Sequence, residues 1–308
     1  MRLIRHLHRA DPGHGSTAVA VGNFDALHRG HQALIRAAVE SGPDLVPALM
    51  CFEPLPQTFL SPEQPVPRLL TLRDRVELCR QSGVELLYVL RFDAAFAAQT
   101  PKVFARNILA RGAQARKVIV GEDFRFGHKA AGGAEDLRAF GEQYAFQVQV
   151  IDAVVESGEK ISASAIRRAL ASGDLARAER LLGRKYRISG RVRRGRRLGR
   201  DLGFPTVNLR VPEPPALAGI FAVRVHGAGL ESHPGVASLG RRPTVAGREW
   251  LLEVHLFDSD RELYGLHLAV DFIGYLRPEA HFESLERMKR QMQADAERAR
   301  AMLGVRVD

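Results

Sequence analysis

Thr17-Ala18-Val19-Ala20-Val21-Gly22-Asn23-Phe24-Asp25-Ala26-Leu27-His28-Arg29-Gly30-His31-Gln32-Ala33-Leu34-Ile35-Arg36-Ala37-Ala38 decides how the first half of this 308-residue chain folds. A five-residue run from Thr17 to Val21 enters a turn at Gly22 and leaves it into a stretch with helical spacing. Strand, turn and helix in that order build a parallel sheet, and ligands collect outside the carboxyl ends of its strands. Backbone N–H groups and the positive end of the helix face the turn, which therefore favours anions. His28 and His31 sit there, and two imidazoles can donate to phosphate oxygens. A lone histidine at such a turn more often caps it or satisfies a carbonyl. The pair is what points to phosphate.

The same grammar repeats down the chain. Apolar runs at Val46 to Phe52, Leu86 to Phe92, Lys117 to Gly121 and Gln147 to Val155 alternate with helical stretches. That alternation predicts an α/β fold, a parallel sheet with helices on both faces. Thr71 is placed to cap a helix ending near Gly83, and Thr100 with Pro101 opens another that stops at Gly112. A helical pair follows, from Ser162 or Ser164 to Gly173 and from Asp174 to Gly183. Beyond Tyr186 short alternating strands are separated by glycine and proline: Arg187 to Val192, Thr206 to Val211, Ile220 to Val225, Gly235 to Leu239, Leu251 to Phe257 and His267 to Tyr275. This is the pattern of a small antiparallel β-barrel. A closing helix, Phe282 to Leu303, sets Leu285, Met288, Met292 and Ala296 on one face for packing on the barrel. Two domains are expected, 1–183 and 184–308.

A hydrophobic content of 45% is enough for two cores. The formal charge of +10 suits nucleic acid, a membrane surface or a polyanionic small substrate. All but six of the 45 basic residues are arginines, whose planar fork suits phosphates, although a genome-wide arginine bias would look the same. Two cysteines, Cys51 in a strand-like run and Cys79 on a helix, argue against a disulfide framework and for a reducing compartment. No apolar run is long enough to cross a bilayer, and Met1-Arg2-Leu3-Ile4-Arg5-His6 lacks the apolar core of a signal peptide. The expected location is the cytoplasm, with no membrane partner.

The second half has its own phosphate-type feature between Gly190 and Asn208. Gly195 and Gly199 let the backbone approach an anion, and the arginines around them supply charge. The stretch is not a Walker A loop, because Arg196 and Arg197 follow Gly195 where lysine and then serine or threonine are needed. As a charge run alone it reads as a solvated face or an RNA-binding patch. Gly203-Phe204-Pro205-Thr206-Val207-Asn208 moves the reading further. Thr206 and Asn208 alternate onto one face of a strand and both offer oxygen ligands to magnesium, so that face can hold a nucleotide–metal complex.

His-x-Gly-His on the first strand-to-helix turn resembles the nucleotide-binding signature of the nucleotidylyltransferase superfamily. The Gly203 to Asn208 stretch resembles the flavokinase signature, in which threonine and asparagine help to bind MgATP. Gly219-Ile220-Phe221-Ala222-Val223, Gly235-Val236-Ala237-Ser238-Leu239-Gly240-Arg241-Arg242-Pro243-Thr244, Leu252-Glu253-Val254-His255-Leu256-Phe257-Asp258 and Leu276-Arg277-Pro278-Glu279 follow in order. The first half adds Phe52-Glu53-Pro54-Leu55-Pro56, Thr71-Leu72-Arg73-Asp74-Arg75, Gly121-Glu122-Asp123-Phe124-Arg125-Phe126-Gly127 and Ile161-Ser162-Ala163-Ser164-Ala165-Ile166-Arg167. From about Thr17 to Arg300 the chain resembles the bacterial bifunctional riboflavin kinases and FAD synthetases.

The resemblance implies a Rossmann-like nucleotidylyltransferase domain that adenylylates FMN to FAD and releases pyrophosphate, followed by a barrel domain that phosphorylates riboflavin to FMN. It implies Mg²⁺, ATP as co-substrate, and riboflavin, FMN and FAD as small-molecule partners and products, with no nucleic acid. His28 and His31 would meet the ATP phosphates, with Gly22, Asn23 and Phe24 at the same turn and Ser162, Ser164 and Arg167 on the triphosphate from the other side. Asp123, Phe124 and Arg125 would meet the flavin. In the kinase half Gly195, Gly199, Thr206 and Asn208 would bind the nucleotide, Thr206 and Asn208 its metal, and Glu253 would accept the proton of the riboflavin hydroxyl. Without the resemblance, Glu253 reads as facing solvent or pairing with an arginine.

Some positions depart from the family pattern. Ala26 replaces a more typical glycine, which matters only if the backbone there takes positive φ. Leu55 stands where histidine is frequent, Ala163 and Ser164 replace serine and threonine, and Ser238 stands where asparagine is common. Two other readings stay open: a riboflavin kinase with an inactive N-terminal half, and a basic nucleic-acid-binding protein on a nucleotidyltransferase-like scaffold, with Arg191 to Arg200 tracking phosphates and affinity that falls steeply with salt.

Overall fold

The computed structural model describes residues 1–7, 15–193, 204–244, 247–259 and 261–305. They form two compact units, Met1–Val66 with Leu72–Ser162 and Pro67–Thr71 with Ala163–Asp308.

The first unit is built on β1 (Arg2–Ile4), β2 (Thr17–Val21), β3 (Val46–Glu53), β4 (Leu86–Arg91), β5 (Ala115–Gly121) and β6 (Gln147–Ile151). They lie in the order β1-β4-β3-β2-β5-β6, and every neighbouring pair is parallel. All five residues of β2 are buried, as expected of a strand covered on both faces. On one face Val19, Val21, Met50, Tyr88 and Val118 pack with Leu109 and with Leu137 of α6 (Ala134–Tyr144), which follows α4 (Ala94–Ala97) and α5 (Pro101–Val103) in the chain. On the other, α1 (Arg29–Val39) buries Leu34, Ile35 and Ala38 against β2, β3 and β5, and after the short α2 (Pro56–Leu60) α3 (Leu72–Gln81) brings Arg75 to within 3.4 Å of Cys51 Sγ. Both cysteines are buried thiols, and burial, then the nearby Cys51, pushes the Cys79 thiol up to about 12.

The sequence reading and the structure differ in three places here. β1 was not anticipated, since three residues are too few to show a period; backbone pairing with β4 recruits it. Thr100 caps its helix as expected, Oγ1 accepting from Val103 N at 3.3 Å, but after α5 the backbone widens into a π-helix over Phe104–Gly112. The strand expected over Gln147 to Val155 stops at Ile151 as β6, and Val155 instead opens a hairpin of β7 (Val155–Glu156) and β8 (Glu159–Lys160), turned by Ser157 and Gly158 at φ of 51° and 80°.

In the second unit α7 (Ala163–Ala171) and α8 (Leu175–Leu182) precede the barrel. Asp174 caps α8 through Arg177 N at 2.9 Å, and Gly183 ends it in the left-handed conformation. The barrel comprises β9 (Tyr186–Arg193), β10 (Thr206–Val211), β11 (Gly219–Gly227), β12 (Leu230–Thr244), β13 (Gly247–Leu256) and β14 (His267–Arg277). It closes as β10-β13-β12-β11-β14-β9, which removes free sheet edges. Leu209, Leu252 and Leu239 are register partners across β10, β13 and β12 and are fully buried, so alternate residues on these strands point out of the core.

The last helix, α9 (Leu285–Leu303), is capped by Ser284 and buries Ala296, Ala299 and Leu303 with Ala222, Phe257 and Leu276. The expected stripe is in phase, but it is covered only toward its C-terminal end, with Met288 and Met292 half-buried. Leu285 is exposed, while Asp295 is buried because it receives the Arg277 guanidinium at 2.6 Å. Apolar periodicity alone could not reveal that pair.

Candidate active sites

β2 lies between β3 and β5, so the sheet order reverses beside it. A crevice outside the carboxyl ends is expected at such a point. The turn after β2 is tightly specified. Phe24 and Leu27 both take left-handed φ, 47° and 45°, whereas Ala26 does not, so its missing glycine costs the backbone nothing. Gln32 Nε2 holds the Leu27 carbonyl at 2.9 Å. His28 is the N-cap of α1: its Nδ1 accepts from His31 N at 3.2 Å. A neutral ring accepting at Nδ1 carries its proton on Nε2, the atom that can donate to an anion. The His28 and His31 rings stack at 3.7 Å and 14°, with Phe24 4.8 Å from His31. Gly30 permits this arrangement, since a Cβ there would stand 3.1 Å from His28 Cε1. His28 therefore does cap the helix, and the cap is what aims it.

The neighbouring strand β5 delivers Gly121-Glu122-Asp123-Phe124-Arg125 to the same edge of the sheet. Lys160 on β8 bridges Glu122 Oε1 at 3.1 Å and Asp123 Oδ2 at 3.0 Å. The hydrogen bond that the ammonium donates to Asp123 is the chief reason its pKa is raised. Glu156 on β7 takes Arg29, at the start of α1, at 2.5 Å. The Phe124 ring stacks on Phe126 at 5.5 Å and 15°, and Arg125 Nε turns back to the Ala130 carbonyl at 3.0 Å. Ser162 closes this unit; Ser164 and Arg167 belong to α7 of the second, where Arg167 Nε donates to the Pro67 carbonyl at 2.8 Å.

On the barrel, Gly195 and Gly199 lie outside the described residues. Thr206 and Asn208 are two apart on β10 and face away from the core. Asn208 pairs with Glu253 on β13, and Glu253 with Ser238 on β12, so three polar side chains share one row. Arg242 crosses that row. Its Nε donates to Glu253 Oε2 at 2.9 Å, Nη1 to Glu279 Oε1 at 2.6 Å and Nη2 to Ser238 Oγ at 2.8 Å, while the Ser238 hydroxyl donates to Glu279 Oε1 at 3.1 Å. Burial would lower the Arg242 pKa, but Glu279 and Glu253 outweigh it and raise it. One Thr206 hydroxyl and one buried Asn208 amide suit a hard cation, and no cluster of three acidic, His or Cys ligands exists among the described residues. Such a donor set fits an ion that arrives with phosphate oxygens of its own. Beside Thr206, His255 Nδ1 donates to the Pro205 carbonyl at 2.9 Å.

Two family models match consecutive parts of the chain, FAD synthetase over residues 11–165 and riboflavin kinase over 182–303. The bifunctional riboflavin kinase/FMN adenylyltransferase of Escherichia coli K12 is 40% identical over 99% of both chains. The chain belongs to the bifunctional riboflavin kinase/FMN adenylyltransferase family. The Haemophilus influenzae member is 38% identical over 98% of this chain and 99% of its own, and the Listeria monocytogenes member 35% over 92% and 91%. A crystal structure described as the macrolide-efflux protein of Streptococcus pneumoniae superposes with a TM-score of 0.80 at 30% identity, covering 97% of this chain and 98% of that one.

Four charged residues beside these sites, Arg29, Lys160, Arg242 and Glu279, are not among those the sequence singles out. Lys160 had one available signal, being one of only six lysines. Arg242 and Glu279 stood inside quoted motifs, but their junction at Glu253 joins three segments and has no spacing to read. Among the described residues no helix is long and apolar enough to cross a membrane.

Proposed function

We propose that this chain makes both flavin nucleotides in the cytoplasm, phosphorylating riboflavin to FMN in residues 184–308 and adenylylating FMN to FAD in residues 1–183. The observation that carries the reading is the pair of consecutive family matches on one chain, each falling on a unit with chemistry suited to its half-reaction.

In adenylyl transfer an oxygen of the FMN phosphate attacks the α-phosphorus of ATP, and the bond to pyrophosphate breaks. Positioning and charge neutralisation suffice. His28 Nε2, His31 and the amino end of α1 would take the ATP phosphates at the turn formed by Gly22, Asn23 and Phe24, with Ser162, Ser164 and Arg167 also assigned to the triphosphate. Asp123, Phe124 and Arg125 would line the flavin. In the kinase half the riboflavin hydroxyl oxygen forms a bond to the γ-phosphorus, ADP leaves, and the proton passes to Glu253. Thr206 and Asn208 would bind the Mg²⁺ that accompanies ATP, which would supply positive charge to offset that of the phosphates; Gly195 and Gly199 are assigned to the same nucleotide. The substrates are small molecules, with no nucleic-acid partner.

Incubation with riboflavin, ATP and Mg²⁺, with flavins separated over time and a parallel reaction started from FMN, tests the reading. FMN appearing before FAD, and FAD from both reactions, is expected. FMN without FAD would leave a kinase alone, and no flavin product would discard both activities in favour of salt-dependent nucleic-acid binding.

A further inference from the structure

Glu253 is held by one oxygen only. Its Oε2 accepts from Arg242 Nε, while Oε1 receives no hydrogen bond among the described residues. The guanidinium is in turn fixed from three places in the chain: Glu253 on β13, Ser238 on β12 and Glu279 just beyond β14. Ser238 accepts from Arg242 and donates to Glu279, so its single proton is accounted for. Glu279 reaches this position because residue 240 is glycine: the space that a Cβ would fill on β12 is taken by the Glu279 carboxylate.

We infer that Arg242 is a positioning residue for phosphoryl transfer, gripping Glu253 by Oε2 so that Oε1 is left for the acceptor hydroxyl, and that Glu279 and Ser238 hold the Arg242 guanidinium in that place. The inference rests on Glu253 being the proton acceptor. A glutamate on a strand surface has three side-chain torsions to restrain, and one charge-assisted bond from a fixed planar donor restrains them. A second carboxylate, Glu279, on that guanidinium fixes its plane and leaves the cluster with a net charge of −1. The three side chains are only 30–35% exposed, so solvent does not erase the interaction. Ser238, one of the positions that depart from the family pattern, thereby has a part to play, joining the cation to the second carboxylate.

The test is kcat and KM for riboflavin phosphorylation by the full chain, in the wild type and in Glu279→Gln, Arg242→Leu, Arg242→Lys and Glu253→Gln. FAD formation from FMN by the same chains, with thermal unfolding, controls for folding. Arg242→Leu lowers kcat about 10- to 100-fold, with KM for riboflavin and for ATP changing less. Glu279→Gln, which loosens the guanidinium, lowers kcat severalfold in the same pattern. Arg242→Lys restores only part of kcat, because a point charge lacks the fork. A kcat within twofold of the wild type in folded Arg242→Leu, or a loss carried by KM instead of kcat, overturns the inference. Should Arg242→Leu fail to fold, Glu279→Gln keeps the shape and still reports the split between kcat and KM. Wild-type kcat in Glu253→Gln would instead overturn the proton-acceptor reading beneath it.

Discussion

Replacing Gly30 by alanine separates the aim of His28 from the stability of its helix. The added Cβ would stand 3.1 Å from His28 Cε1 and 3.2 Å from Nδ1, the atom that caps His31 N. The ring has to swing by a few tenths of an ångström, and its Nε2, on the far side of the imidazole, moves further. Weakening the cap costs about 1 kcal/mol. Alanine in place of glycine in the first turn returns up to about 1 kcal/mol through helix propensity and a less flexible unfolded chain. The two nearly cancel, so the urea midpoint should barely move. The rate should not be spared, because misplacing a phosphate donor by a fraction of an ångström to one ångström costs about 10- to 100-fold. FAD formation from FMN and ATP should fall by that factor while riboflavin phosphorylation on the same chain holds steady. FAD formation within twofold of the wild type at unchanged stability would refute the role given to the cap, and parallel loss of both activities with a lower midpoint would mean that the variant only damages the fold.

Asp295→Ala leaves the Arg277 guanidinium without its buried carboxylate, and should lower the stability of the barrel unit by about 3 kcal/mol or more, read as a drop in denaturant midpoint. Asn208→Ala should cut riboflavin phosphorylation about 100-fold and leave FAD formation from FMN intact, as product chromatography would report; equal loss of both would contradict a role confined to the barrel. Burial, with the positive Arg300 nearby, lowers the His255 pKa against the opposing bond to the Pro205 carbonyl. The unfolded chain then binds the proton more readily, so His255 contributes stability that is complete above its ordinary 6.5 and is lost as pH falls through its lower folded value. Chemical denaturation across pH 7 to about 5 should show that loss in the wild type and less of it in His255→Gln.

Much of the fold could be read because local signals agreed with one another. Thr100, Asp174 and Gly183 each act as helix boundary markers through backbone chemistry within three or four residues. Thr206 and Asn208 could be paired because strand alternation is also local. Leu285 misled for the opposite reason: its spacing matches the buried stripe, but only the position of α9 on the barrel decides which part of that stripe is covered. The run Gln147 to Val155 reads as one strand although β6 ends at Ile151, because Val155 pairs in a separate hairpin.

Periodicity, caps and motif order by themselves determined the alternation of strands and helices, the change of grammar after Tyr186, and the presence of His28, His31, Thr206, Asn208 and Glu253 in suitable settings. These depend on chemistry within a few residues of chain. Tertiary structure alone decided that β5 lies beside β2, so that Asp123 and His28 leave the same edge of the sheet, and that Glu279 crosses Gly240 to share Arg242 with Glu253. Such contacts join residues dozens of positions apart, and their energy depends on a closed barrel or a paired sheet that no local pattern encodes.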